Sequence, residues 1–128
     1  MTSPAQNQPS RLPRLKRRSE FLKVARRGRK WAAAGVVVQA LRRDAADHGP
    51  PDDGPRVGFT VTRKVGNAVV RNRAKRRLRS AAEAVMAEHG QSGMDVVMIG
   101  RAATLKRPFD RLIGDMEKAL RKLDAYRE

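Results

Sequence analysis

Basic side chains form the densest group of chemically active residues in this sequence, and they lie between Arg63 and Arg79. No aspartate or glutamate occurs between Thr60 and Ala82, so all of these cations except Arg79, which has Glu83 four residues on, lack an acidic partner one helical turn away. Such a segment repels itself unless a polyanion binds it, and the planar guanidinium of arginine grips phosphate through two parallel hydrogen bonds. We therefore predict that the segment binds nucleic acid rather than forming a merely solvated helix face. The predicted contact residues are Arg63, Lys64, Asn67, Arg71, Asn72, Arg73, Lys75, Arg76, Arg77 and Arg79.

The turn before these arginines offers a second means of binding an anion. Asn67 is a good N-cap residue, and the free backbone N–H groups at the start of a helix attract phosphate. Gly66 would allow the backbone to approach a ligand closely. We therefore expect phosphate at Gly66–Val69, while the amide of Asn72 could read a base edge or a sugar hydroxyl.

The composition of the whole chain supports a nucleic-acid partner. The chain has 128 residues and a formal net charge of +16, which suits one basic domain. It contains no cysteine, which excludes a disulfide framework, thiolate catalysis and a cysteine-based zinc site. An anionic membrane surface is the second candidate partner. However, Met1–Ser10 lacks the apolar segment of a secretory signal and no apolar run is long enough to span a bilayer, so we predict no membrane association and a cytoplasmic location.

The sequence offers few groups with which the protein itself could catalyse a reaction. His48 and His89 have no partner at metal-ligand or triad spacing. Asp52 and Asp53 lie among prolines and glycines, where the fixed geometry of a catalytic pair is not expected. We therefore predict no catalytic residue and no metal site on the protein.

The elements that must position the basic segment can be read from periodicity and from turn residues. Residues 1–13 are predicted to form a disordered tail, and residues 14–128 a single domain. Within the domain we predict a helix over Ser19–Arg27, a strand within Ala32–Leu41, a loop over Asp44–Pro55, a strand over Arg56–Lys64, a helix from Ala68 to about Glu88, a strand over Met94–Ile99 and a last helix from Pro108. The predicted fold is a small α+β sandwich of order α-β-β-(β)-α-β-α. Its helices pack on a mainly antiparallel sheet and leave an open cleft beside the first helix.

The basic helix has a predicted docking side. Its apolar residues recur at helical spacing and form one stripe, and most of the arginines fall outside that stripe. The helix should therefore dock through the stripe and present guanidinium groups to solvent. The stripe consists of Val70, Ala74, Leu78, Ala81 and Val85.

The strand before this helix alternates between an apolar and a small polar face. Val57, Phe59 and Val61 point to one side and predict burial, whereas Gly58, Thr60 and Thr62 point to the other. A face of glycine and threonine is typical of the floor of an open groove rather than of a surface buried under a helix.

The stretch Arg56–Arg79, which reads RVGFTVTRKVGNAVVRNRAKRRLR, resembles the signature of the bacterial ribonuclease P protein component. The matching parts are the strand RVGFTVT, the basic pair RK, the glycine turn VGNAVV, and RNR followed by AKRRLR. Arg14–Gly28 is similar to the opening helix of the family, and Met94–Arg101 is similar to its last strand. The resemblance covers about Leu15 to Leu123, nearly all of the predicted domain.

This resemblance implies a function and a division of labour. Ribonuclease P removes the 5′ leader from precursor tRNA by hydrolysing one phosphodiester, and in the bacterial enzyme the RNA subunit carries the catalytic groups and the Mg²⁺ ions. The resemblance implies that the protein, one copy per RNA, binds that catalytic RNA through the RNR helix and broadens substrate use. It also implies that Phe21, Thr60 and Thr62 line a cleft for the single-stranded leader.

The sequence departs from the family pattern where aromatic residues often stand, since Ala25 and Gln39 occupy the matching positions. The main alternative is a structural or ribosomal RNA-binding protein without a nuclease role. A nuclease that acts without RNA is disfavoured because its carboxylates are scattered. A DNA-binding helix-turn-helix is disfavoured because a strand, not a paired helix, precedes the basic helix.

Overall fold

The computed structural model describes residues 12–43 and 54–128 of the chain. The predicted tail up to residue 11 and most of the predicted loop Asp44–Pro55 lie outside these ranges. The helices are α1 (Arg18–Arg27), α2 (Ala68–His89), a short 3-10 helix (Ala102–Leu105) and α3 (Phe109–Lys122), and the strands are β1 (Arg29–Ala32), β2 (Val36–Arg42), β3 (Arg56–Val61) and β4 (Met94–Gly100).

The four strands form one mixed sheet in the order β1-β2-β4-β3. The β1–β2 and β2–β4 pairs are antiparallel, and β3 pairs in parallel with β4. A parallel pair needs a long crossover connection, and α2 provides it. The prediction of an α+β fold with a mainly antiparallel sheet is confirmed.

The larger core lies between the sheet and the two long helices. Alternate residues of β2, namely Val36, Val38 and Ala40, are buried in it because a strand directs every second side chain to the same face. From the helices, Leu78 of α2 and Met116 of α3 complete this core. This packing excludes water from that face of the sheet and fixes the position of α2 on it.

Among the described residues, α1 and the segment just before it cover the opposite face of the sheet. A small second core here contains Leu15, Val24 and Val97, with Phe21 and Ile99 half-buried against it. The helices therefore pack on both faces of the sheet, a division that the sequence analysis did not anticipate.

The predicted strand within Ala32–Leu41 corresponds to β2, which forms a hairpin with the preceding strand β1 through a turn at residues 33–35. The turn is held from α3, because the Gly35 N–H donates to the Asp115 carboxylate at 2.9 Å. It is also held from the 3-10 helix, since the buried Thr104 hydroxyl donates to the Gly35 carbonyl at 2.6 Å. Apolar alternation did not reveal β1 because its first two residues, Arg29 and Lys30, are basic and exposed.

Two predicted boundaries also change. Ser19, the predicted first residue of the first helix, lies inside α1, because the carboxylate of Glu20 accepts hydrogen bonds from the Lys16 and Arg17 N–H groups at 3.1 Å and starts the helix earlier. At the end of β3, the Thr62 carbonyl accepts from the Val65 N–H at 3.1 Å, so the chain turns before the predicted strand end.

Two residues just before position 14 contact the rest of the protein. The Pro13 carbonyl accepts a hydrogen bond from the Val57 N–H at 2.9 Å, and Leu12 packs against the larger core. Among the residues that the structure describes, none of the helices has the length and apolar character that a membrane span requires.

Candidate RNA-binding surface

The docking side of α2 is the one that the sequence predicted. Ala74, Leu78 and Ala81 are fully buried against the sheet, Val85 is almost so, and Val70 at the start of the helix is half-buried. Alanine at two of these positions lets the helix backbone lie close to β3. This stripe fixes which side chains of α2 point away from the protein.

The rest of the N-terminal half of α2 carries the predicted contact residues. Asn72, Arg73 and Arg76 are exposed, and Arg71, Lys75 and Arg79 are half-buried along the flanks of the docking stripe. Arg63 and Lys64 are exposed in the turn before the helix. We call this group the α2 basic surface; it consists of Arg63, Lys64, Arg71, Asn72, Arg73, Lys75, Arg76 and Arg79. The fold brings these predicted contact residues together on one side of the molecule.

Arg77 has a different place from the other arginines of α2. Its guanidinium donates to the Arg107 carbonyl and lies 6.0 Å from the ring centre of Phe109. Arg107 itself forms a two-point ion pair with Asp115, with N–O distances of 2.9 and 3.0 Å. Arg77 therefore ties α2 to the start of α3, and its primary contacts are within the protein.

The start of α2 is built as a capped helix end. The side-chain oxygen of Asn67 accepts from the Val70 N–H at 3.0 Å, as the sequence predicted, and the first turn contains no acidic residue. A Cβ at Gly66 would lie 2.7 Å from Cγ1 of Val70, so the glycine permits a close contact inside the protein. The helix end keeps an electropositive N-terminus that can attract an anion.

A cleft of about 380 Å³ lies between α1 and the outer strand β3. Phe21 and Thr60, both predicted to line such a cleft, do so, and Phe59 forms part of the wall. The guanidinium of Arg14 lies 5.5 Å from the ring centre of Phe59, so positive charge and an aromatic ring meet beside the cleft. We call this feature the α1 cleft; it is lined by Lys16, Arg18, Phe21, Leu22, Phe59 and Thr60.

The prediction of an open floor made of Gly58, Thr60 and Thr62 is only partly right. Gly58 is buried, and a Cβ there would lie 2.5 Å from the ring of Phe21, so this part of the face is covered by α1. Thr60 is half-buried in the cleft, and Thr62 is exposed beyond the end of β3 without lining it. Of the two positions that depart from the family pattern, Ala25 is exposed on α1 and Gln39 is half-buried on β2.

A buried ionic network that the sequence analysis missed fixes α1 to the sheet. Both carboxylate oxygens of Asp95 accept from Arg56 at 2.8 Å, and one also accepts from Arg43 at 2.8 Å. The side chains of Arg43 and Asp95 are only 2% and 8% exposed. Arg56 also donates to the carboxylate of Glu20 at 3.0 Å, so the network joins β4, the end of β2, the start of β3 and α1. The partners are far apart in sequence, and no local pattern marks them.

This network perturbs the ionisation of its members in a consistent direction. Burial raises the pKa of Glu20, but the N–H groups of Arg17 and Lys16 and the charge of Arg56 outweigh it and lower the pKa below the ordinary value of 4.5. The hydrogen bonds that Arg56 donates to Asp95 raise the pKa of Arg56, against the opposing effect of burial. The charged forms of both groups are thus favoured in the folded protein.

The described residues do not fit a site for a divalent cation. They contain no group of three histidine, aspartate or glutamate side chains placed to hold a metal. The carboxylates of Glu20, Asp95 and Asp115 are bound to arginines, which compete with a cation for the same oxygens. A Mg²⁺ ion of the kind that the resemblance implies would therefore need ligands from outside these residues.

Comparison with known proteins agrees with this arrangement. The model of the family Ribonuclease P matches residues 10–124. The ribonuclease P protein components of Gluconacetobacter diazotrophicus and Ruegeria pomeroyi are each 54% identical over 112 residues, and the matches cover 88% and 87% of this chain and 91% and 86% of the relatives. The structure of the ribonuclease P protein from Thermotoga maritima is similar with a TM-score of 0.66 and 26% identity, covering 86% of this chain and 94% of that one. The chain therefore belongs to the ribonuclease P protein component family.

Proposed function

We propose that this chain is the protein subunit of a bacterial ribonuclease P, which binds the catalytic RNA through the α2 basic surface and the 5′ leader of precursor tRNA in the α1 cleft. The observation that carries the proposal is the exposed face of α2, where no acidic side chain interrupts the arginines. Guanidinium groups held on a docked helix lose little entropy when they meet phosphate. The same domain offers a cleft in which an aromatic ring and cations lie together, as proteins that bind single-stranded nucleic acid do.

The proposed division of labour leaves the chemistry to the RNA. The RNA would hold the Mg²⁺ ions and the catalytic groups, because the carboxylates of Glu20, Asp95 and Asp115 are bound to arginines. The protein would contribute positive charge that offsets repulsion between the catalytic RNA and its substrate. We propose one protein per catalytic RNA, acting in the cytoplasm.

The first test is cleavage of a precursor tRNA by the cognate catalytic RNA at low Mg²⁺ concentration, with and without the protein. The protein should raise the cleavage rate or the substrate affinity. An unchanged rate and an unchanged affinity would contradict the proposal.

The second test measures binding to the catalytic RNA for the double variant Arg71→Gln/Arg73→Gln. We expect affinity to fall by about tenfold or more, since two phosphate contacts are removed, and the slope of log affinity against log salt to become shallower by about 1.5. The matched control is Arg111→Gln/Lys118→Gln, which removes two exposed cations from α3. Equal losses in the two variants would show that net charge, not the α2 basic surface, governs binding.

The two RNA partners can be separated by tethered cleavage. The sequence has no cysteine, so single cysteines at Phe21 and Arg76 can each carry a cleavage reagent without background. Cuts in the leader from position 21 and in the catalytic RNA from position 76 are expected. The opposite pattern would reverse the assignment of the two surfaces.

A further inference from the structure

A second cationic site lies where β2 extends beyond its neighbour β1. The pairing of β1 starts at Arg29, opposite Ala40, whereas β2 continues through Leu41 to Arg42. Before Arg29 the chain belongs to α1, which Gly28 connects to β1, so no residue of β1 lies beside the end of β2. A cavity of about 260 Å³ fills the gap, and we call it the notch.

Arginines line the notch from three elements. Arg27 comes from the end of α1, Arg29 from β1 and Arg42 from β2. Asp124 is the single acidic residue among the described residues that line it, and its carboxylate lies 3.2 Å from the guanidinium of Arg29. The side chains of this ion pair are 64% and 86% exposed, so water weakens their attraction and an incoming phosphate can compete for Arg29.

The charge of the notch is not a simple reflection of the basic composition of the chain. The outer surface of α3 carries cations as well, but they alternate with acids: Asp110 precedes Arg111, and Glu117 precedes Lys118. Around the notch, by contrast, the neighbouring cations add further positive charge to that of the arginines. These neighbours are Arg26, Lys30 and Lys122, all exposed.

The notch and the start of α2 lie at opposite ends of the sheet. Arg42 pairs with Met94 at one end of β4, whereas Val61, which leads towards α2, pairs with Gly100 at the other. Seven strand residues separate these ends by about 20 Å. Phosphates bound at the two places therefore belong to different parts of the bound RNA, or to two RNA molecules.

We propose that the notch binds a phosphodiester of RNA and is a second RNA contact, separate from the α2 basic surface and from the α1 cleft. Three arginines that line one cavity from α1, β1 and β2 can reach a phosphate from several sides, which a single surface cation cannot do. The proposal rests on the function proposed above. The phosphate can come from the catalytic RNA or from the precursor tRNA, and the two sources are separated by the experiment.

The test uses one variant that weakens the notch and one that strengthens it. In Arg27→Gln/Arg42→Gln, two cations are lost while Arg29 and its contact with the C-terminal segment stay. In Asp124→Asn, the acid of the notch is removed. The backbone of Asp124 has a φ of +57°, a left-handed conformation that asparagine tolerates well, so this variant should fold.

Two binding arms are measured with the full chain. The first arm is the catalytic RNA alone, and the second is a precursor tRNA with a short or a long leader added to the reconstituted ribonucleoprotein. We expect about tenfold weaker binding for Arg27→Gln/Arg42→Gln in at least one arm, with a salt slope shallower by about 1.5. For Asp124→Asn we expect binding about threefold tighter in the same arm, the size expected for removing one charge near a phosphate in water. The arm that responds identifies the source of the phosphate.

The control is again Arg111→Gln/Lys118→Gln, with melting temperatures recorded for all variants. Misfolding can weaken binding but cannot tighten it, so Asp124→Asn keeps the test valid even if the double variant is destabilised. The proposal is overturned if the double variant behaves like the control in both arms, or if Asp124→Asn binds no more tightly than the natural chain. If the natural chain binds RNA but does not stimulate cleavage, the proposed function fails while the binding arms still decide the notch.

Discussion

The two faces of the sheet are stabilised by different kinds of interaction. The face under α2 and α3 is closed by apolar side chains such as Val38, Leu78 and Met116, all fully buried. The face under α1 has a small apolar core and relies on an ionic network centred on Asp95. Apolar burial seals a surface, whereas a network of directed bonds can hold a helix at one angle and leave the sheet beside it open. The difference explains why the α1 cleft lies on one face and the rigid support for α2 on the other.

The largest loss of stability is expected when the ionic network under α1 is disrupted. The variant Asp95→Asn would leave the guanidinium of Arg43 buried without its countercharge and would remove the main partner of the half-buried Arg56, so we expect a loss of ~3–5 kcal/mol in the free energy of unfolding. Urea denaturation monitored by circular dichroism would measure it. A loss below ~1 kcal/mol would show that apolar contacts, not the network, hold α1.

A substitution in the apolar core under α2 and α3 should reduce stability nearly as much, but by another mechanism. Leu78→Ala removes a fully buried side chain from beneath α2, so a loss of ~2–5 kcal/mol is expected from reduced burial and from the cavity left behind. Unfolding measured at low and at high salt separates the two faces, because only the Asp95 variant should change the salt dependence. If both variants altered the salt dependence of unfolding equally, the two faces would not differ in the kind of interaction that stabilises them.

A smaller and pH-dependent effect is expected at the start of α1. Glu20→Gln weakens the capping hydrogen bonds to the Lys16 and Arg17 N–H groups and removes the ion pair with Arg56, which should cost about 1 kcal/mol at neutral pH. Because the pKa of Glu20 is lowered in the folded protein, its stabilisation is complete above the ordinary value of 4.5 and is lost as the pH falls through the folded value.

The measurement for Glu20 is the difference in unfolding free energy between the natural chain and the variant from pH 7 down to pH 3. This difference should be constant at higher pH and should shrink below about pH 4.5. A difference that grows as the solution is acidified would contradict the assigned direction of the pKa shift.

The smallest effect is expected at Phe109. Phe109 stands at helical spacing from the apolar residues Leu112 and Met116 of α3, yet it is 42% exposed and lies beside Arg77. Phe109→Ser should therefore change the unfolding free energy by less than ~1 kcal/mol, since little apolar area is lost from the core. Val96→Ala, at a buried position of β4, is the control and should cost more. A loss at Phe109 that matches the control would make this ring part of the core after all.

The sequence predicted the order of the elements and the docking side of α2 because both follow from local periodicity. Ala74, Leu78 and Ala81 repeat at helical spacing, and Val57 and Val61 alternate as a strand requires. The family signature added what periodicity cannot supply, namely the RNA partner and the cleft beside Phe21.

What the sequence could not predict depends on contacts between distant residues. Asp95 meets Arg43 and Arg56 across 52 and 39 positions, and no spacing rule connects such partners. In the same way, helical spacing puts Arg77 at the edge of the docking stripe but does not show that the start of α3 lies there to receive it. The burial of Gly58 was missed for a related reason, because alternation identifies a face and does not say what covers it.

The central position of β4 sets the order in which this protein can fold during synthesis. β4 is the last strand in the chain, yet it lies between β2 and β3, so neither of them has its main partner until Gly100 has been made. The arginine-rich helix is translated earlier and therefore emerges before the sheet that it packs against is complete. A nascent chain that is interrupted before β4 would carry its strongest RNA-binding charges on an unfolded polypeptide, and we expect such fragments to bind RNA without selectivity.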